Sequence, residues 1–177
     1  MTKLRVPAEG AGPDDGLESK TKMNMQVTSA DRIEKQILLR APCTRVWRAM
    51  TDAREFGAWF QVELDNRFVE GETILGRNTH PALETVPFRC VVERLDPQRY
   101  LAFRWHPHAI DPSIDYSAEP MTLVEFWLEA VTAETKLTIV ESGFDALPAE
   151  RRDAARRASD NGWAERARSI DRFVTRR

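Results

Sequence analysis

Glu141 stands where a short apolar alternation breaks. Leu137 and Ile139 take alternate positions there, and a strand period of two carries Glu141 to the same inward side. A carboxylate at that point has three uses: capping the backbone at the entry to the next element, hydrogen-bonding a ligand, or moving a proton. Asn161 is the second polar candidate. It falls inside a long helical pattern, two residues before Trp163, where an amide is a poor helix former. It reads either as a ligand anchor or as part of a solvent-facing network. Glu141 and Asn161 in one cavity would form a proton-transfer site of the cyclase or hydrolase kind. Trp59, Phe60, Phe103, Trp105, Phe144 and Trp163 supply the apolar surroundings. They are either ordinary core or the wall of a hydrophobic pocket for a small, partly aromatic molecule.

Other chemistry is weakly supported. His106 and His108 would share one side of an extended strand, a spacing that zinc sites use. A third ligand is missing, because His80 is distant and Pro107 ends the strand, so no metal is assigned. Cys43 and Cys90 are the only cysteines, each in apolar sequence. Without a CxxC, a thioredoxin-type motif and a four-thiolate cluster are excluded, and both read as buried small hydrophobes in a reducing cytosol. GxSxG, P-loop, HExxH and GxGxxG motifs are absent, and no cofactor is assigned. The formal charge of −2 gives no global pull toward nucleic acid or membrane. From Pro148 onward there are nine Arg against five Asp or Glu, so a basic C-terminal segment complements an acidic middle. Those Arg are scattered without an aromatic platform, which argues against a nucleic-acid surface. No apolar run approaches a membrane span, and no hydrophobic signal core begins the chain, so a cytoplasmic location is expected.

These residues need elements to hold them. At 177 residues the chain is of single-domain size. Residues 1–30, with three Gly and two Pro, read as a disordered leader, and Met23 or Met25 as a candidate true start. The domain then runs over 31–177. Arg32 to Arg40 alternates as a strand, ended by Ala41-Pro42. Thr44 is expected to cap a short helix through Met50, and Asp52 a second through Trp59. Strands are expected near 62–65, 72–78, 87–95, 100–106, 121–130 and 135–141, about seven in all and antiparallel by their short connections. The Pro107–Pro120 loop is long enough to be a lid or rim. After Pro148 comes one long helix, with Ala155, Ala158, Trp163, Ala167, Ile170, Phe173 and Val174 on one face. Its small residues cannot fill the space under a curved sheet, which predicts a cavity. Trp127 falls on the opposite sheet face between Glu125 and Glu129, where a covering loop or a homodimer contact would explain it.

The order strand, two short helices, six strands and long helix is an α+β arrangement. It carries Ala41-Pro42 with Val46-Trp47, Trp59-Phe60, Phe103-Arg104-Trp105-His106-Pro107, Thr122-Leu123-Val124-Glu125-Phe126, Glu141-Ser142-Gly143-Phe144-Asp145 and Asn161-Gly162-Trp163. In these the chain from Ile33 to Val174 resembles the SRPBCC superfamily, with its Bet v 1-like or START-like helix-grip fold. More narrowly it is similar to the branch named after the activator of heat-shock protein 90 ATPase. The resemblance implies a curved antiparallel sheet of six to seven strands wrapped round the C-terminal helix; the aromatic-lined gap with few ionisable groups points to a small hydrophobic molecule held between them without chemistry. The alternatives are the cyclase or hydrolase reading on Glu141 and Asn161, and a co-chaperone-like protein-binding module implied by the branch name. Val131-Thr132-Ala133-Glu134-Thr135 replaces the family's Gly-rich turn, which predicts a wider last hairpin.

Overall fold

The computed structural model describes residues 31–176. The expected leader and alternative start lie outside the described residues.

Strand β1 (Arg32–Leu39) puts Ile33 and Leu39 into the core by alternation, and Pro42 then opens helix α1 (Cys43–Thr51). Thr44 is not the cap that its residue type suggested. Pro42 occupies the N-cap position in extended conformation, and no side chain caps the helix. Helix α2 (Ala53–Phe60) is capped as expected. Asp52 Oδ1 accepts from the amides of Arg54 at 3.0 Å and Glu55 at 2.9 Å, satisfying two donors that the first turn leaves free.

The remaining strands are β2 (Val62–Leu64), β3 (Thr73–Asn78), β4 (Pro87–Asp96), β5 (Tyr100–Trp105), β6 (Thr122–Val131) and β7 (Glu134–Ser142). All pair antiparallel in the order β1-β7-β6-β5-β4-β3-β2, so the first strand returns beside the last. The β4–β5 register slips between Val92 and Arg94, an irregularity of the kind that bends and twists a strand. Helix α3 (Ala149–Thr175) lies in the resulting cup against β1, α1 and α2. This is the helix-grip arrangement expected from the sequence.

The β6–β7 hairpin is tight, contrary to expectation. Val131 pairs directly with Glu134, leaving two turn residues, and Thr132 takes the left-handed φ of 57° that a glycine would normally supply.

The α3 stripe is also narrower than the spacing suggested: Ala155, Ser159, Trp163, Ala167, Ile170 and Val174 are buried, whereas Ala158 and Gly162 lie at its margin. A Cβ added at Gly162 would meet nothing within 4 Å. A mid-helix glycine in open space carries only the entropic penalty of its flexibility, so Gly162→Ala is expected to stabilise the fold by about 0.5–1 kcal/mol. Chemical denaturation would show this as a raised midpoint at unchanged slope. Gly57 is the opposite case, because a Cβ there would run into the Val62 carbonyl.

Candidate functional site: a buried carboxylate in an aromatic cup

Glu141 and Thr122 are polar residues on inward positions of neighbouring strands. Val124 pairs with Glu141 across β6–β7, and Trp105 pairs with Thr122 across β5–β6. The registers therefore bring Trp105, Thr122 and Glu141 to one point of the sheet's concave face. Helix α3 closes that point from above with Ser159 and Trp163, which lie one turn apart on the same side.

Glu141 is fully buried. Its Oε1 accepts from Trp105 Nε1 at 2.8 Å and from Thr122 Oγ1 at 2.6 Å. Its Oε2 accepts from Trp163 Nε1 at 2.6 Å, and the Ser159 side chain faces the same carboxyl from α3. An indole N–H can only donate, so both carboxyl oxygens are fixed as acceptors. Burial pushes the Glu141 pKa above the ordinary carboxylate range, and the donors from Thr122, Trp105, Trp163 and Ser159 oppose that rise.

Around this carboxyl the rings pack on one another. Trp163 lies with its centroid 5.6 Å from Trp105, 6.0 Å from Phe60 and 5.6 Å from Phe126. Trp105 also meets Phe103 at 5.8 Å and Phe88 at 6.5 Å. These are ordinary aromatic contact distances. The space expected beneath the small residues of α3 is thus occupied by the Trp163 and Trp105 rings. Two open concavities lie elsewhere. One of about 540 Å³ is bounded by Leu38, Arg40, Asp171, Arg172, Thr175 and Arg176. Another of about 200 Å³ runs beside Tyr100, Trp127, Lys136 and Thr138 on the outer sheet face.

Among the expected site residues, the structure brings together Phe60, Phe103, Trp105, Glu141 and Trp163. Trp59 sits one ring away against Phe56 and Phe60, its indole N–H spent on the Ala49 carbonyl at 2.8 Å. Phe144 is buried at the short 3-10 turn Phe144–Ala146. Asn161 is exposed, because it falls on the far side of α3 from Ser159 and Trp163. The expected Glu141–Asn161 pair is therefore not formed. Phe126, Ser159 and Thr122 also belong to the cup, although none of them was among the expected ligand-contacting residues. The missed signal was Thr122 heading the inward series Val124, Phe126, Leu128, a polar break matching that of Glu141.

The rim is held by α3 cations. Arg151 pairs with Glu119 at 2.9 Å, donates to the carbonyls of His108 and Pro107 at 3.1 Å each, and lies 4.5 Å over the Tyr116 ring. It thereby ties the 107–120 loop to the first turn of α3. His106 meets the Glu119 carbonyl at 3.1 Å, and His108 turns with φ 52°, so the two histidines serve this loop. Among the described residues no three metal-ligating side chains converge. Arg166 stands 3.7 Å over the Phe60 ring and donates to the Phe60 carbonyl at the end of α2. Burial draws its pKa down to about 10. Of the basic C-terminal segment, Arg151 thus meets an acid of the middle segment, and Arg151, Arg152 and Arg166 all donate to backbone carbonyls. Trp127 is 49% exposed and its ring lies 4.2 Å from that of Tyr100. No helix among the described residues is long and apolar enough to cross a membrane.

The fold has many relatives of known structure. DynU16, from the dynemicin biosynthetic locus, matches at 22% identity and TM-score 0.63 over 81% of this chain and 47% of that one. The chain thus spans about half the length of DynU16. Protein MLL2253 from Mesorhizobium loti matches at 19% identity and TM-score 0.63, covering 81% of this chain and 96% of that one. CalU16 from Micromonospora echinospora matches at 19% identity and TM-score 0.59, covering 81% and 76%. At these identities the likeness speaks for the fold. No curated protein matches the sequence. A family model described as "Activator of Hsp90 ATPase homolog 1-like protein" matches residues 40–175, the whole stretch from the end of β1 to the end of α3. The chain belongs to that family, within the SRPBCC-type helix-grip proteins.

Proposed function

We propose that this protein binds a small, largely aromatic molecule in the cup between the sheet and α3, and holds it without chemistry. One observation carries the reading: a fully buried carboxyl, Glu141, presents acceptors into a wall of aromatic rings and has no cation beside it among its hydrogen-bond partners. A purely structural core gains little from such a polar cluster, since apolar side chains replacing the acid and its donors together would avoid the desolvation. An acceptor at the bottom of an apolar cup is what orients a ligand. The position of DynU16 in a biosynthetic locus supports a small molecule over a protein as the occupant. The exposure of Asn161 counts against the cyclase or hydrolase alternative, which needs a second polar group beside Glu141.

The reading includes a cytoplasmic setting, supported by the free thiols of Cys43 and Cys90; burial pushes the Cys90 thiol up to about 12 and leaves it inert. It also includes a homodimer through the outer sheet face at Trp127. Native mass spectrometry of gently purified protein tests occupancy and assembly together. The expected spectrum shows a dimer in which each chain carries a small added mass that is lost on denaturation. Bare chains that also fail to take up any member of an aromatic panel would remove the ligand reading.

A further inference from the structure

Trp105 differs from every other ring around Glu141. Phe60, Phe103, Phe126 and Trp163 are fully buried, whereas Trp105 is only half-buried. Trp163 projects from the middle of α3, while Trp105 ends β5 and leads straight into the 107–120 loop. Trp105 is therefore the residue of the cluster that borders solvent, and it sits at a strand end. Its indole also makes the contacts a bound molecule would make. It lies against Phe60, Phe88, Phe103 and Trp163 at centroid distances of 6.1, 6.5, 5.8 and 5.6 Å, and its N–H reaches Glu141 Oε1 at 2.8 Å.

We infer that Trp105 is a built-in stand-in for the ligand, and that the natural ligand is a neutral, flat aromatic molecule bearing a ring N–H or phenolic O–H. This rests on the cup being a ligand site and names what enters it. Rotation of Trp105 toward solvent opens a slot of indole size, walled by four rings, with one lone pair of Oε1 vacated. Thr122 and Trp163 keep the rest of the carboxyl in place, so the vacated position still demands a donor. A ring without one would strand that acceptor in an apolar slot, and discrimination of this kind is large because an unpaired buried polar group is costly. In the wild type the ligand must first displace Trp105, which lowers its apparent affinity by the fraction of time the slot stands open.

The test is calorimetric titration and thermal melting of Trp105→Ala with indole and with benzofuran, which has the same shape but a ring oxygen in place of the N–H. Indole should raise the melting temperature of the variant, bind at least tenfold tighter than benzofuran, and bind the wild type at least tenfold more weakly than the variant. Equal binding of the two compounds to the variant overturns the donor class and leaves the cup as an aromatic site. Binding of neither to folded Trp105→Ala overturns the stand-in role; a co-purified cup ligand in the wild type would show that the broader reading survives it. Should the variant fail to fold, the indole N–H resonances of the wild type decide. Added indole should move that of Trp105 far more than that of Trp163, and an unmoved Trp105 signal at concentrations that bind would overturn the inference.

Discussion

Glu141→Leu is expected to lower stability by about 3 kcal/mol at pH 5, by stranding donors that have no other acceptor in the cup. Trp163 Nε1 is enclosed and loses the carboxyl oxygen it donates to. Thr122 Oγ1 loses a 2.6 Å bond at a buried position, whereas the half-buried Trp105 indole can turn to water. For a domain of this size, that loss corresponds to a melting temperature lower by about 6–12 °C. The gap should depend on pH in one direction. Burial raises the folded pKa of Glu141 above the ordinary 4.5, so the folded state holds the proton more tightly than the unfolded chain. The stability from that proton is fully present below the unfolded pKa and is lost as pH rises through the folded value, at about 1.4 kcal/mol per pH unit inside the window. The leucine variant lacks this dependence. Its deficit against wild type should therefore shrink between pH 5 and pH 8, read by denaturant melts at each pH. A deficit that grows with pH would mean that the four donors outweigh burial and hold the carboxylate ionised.

Trp163→Ala should cost more, about 3–5 kcal/mol, because it removes the largest buried side chain at the centre of the cup. Phe60, Trp105 and Phe126 would each face a void on one side, and Glu141 Oε2 would lose its indole donor. Trp163→Phe separates the two contributions. It keeps a ring in contact and withdraws the N–H, at about 1–2 kcal/mol. Combining Trp163→Phe with Glu141→Leu should cost less than the sum of the two, since each removes the same hydrogen bond. A Trp163→Ala loss below about 1 kcal/mol would show that neighbouring rings collapse into the space, and the cup would then be more plastic than its packed rings imply.

The elements were legible because each is written locally. Alternation in β1 and β6, the Asp52 cap and the Pro148 entry to α3 are patterns of a few residues. The errors fall where backbone conformation departed from residue preference: Pro42 in place of Thr44 at the start of α1, and Thr132 taking a left-handed turn without glycine. The site was only half legible. Period two put Glu141 inward correctly, but its partners Trp105 and Thr122 arrive through the β5–β6 and β6–β7 registers, which no single strand encodes. Asn161 was misplaced because the buried stripe of α3 is one residue wide per turn, leaving it on the solvent side. The filling of the cup was not legible either. Small residues on α3 announce room, and only the rotamers of Trp105 and Trp163 say what takes it.

The most direct test of the account is a crystal structure of the protein purified without stripping any bound molecule. It should show a flat ligand within hydrogen-bond distance of Glu141 Oε1, with the Trp105 ring turned out toward the 107–120 loop. A bound molecule in the groove beside Trp127, with Trp105 still hydrogen-bonded to Glu141, would contradict it.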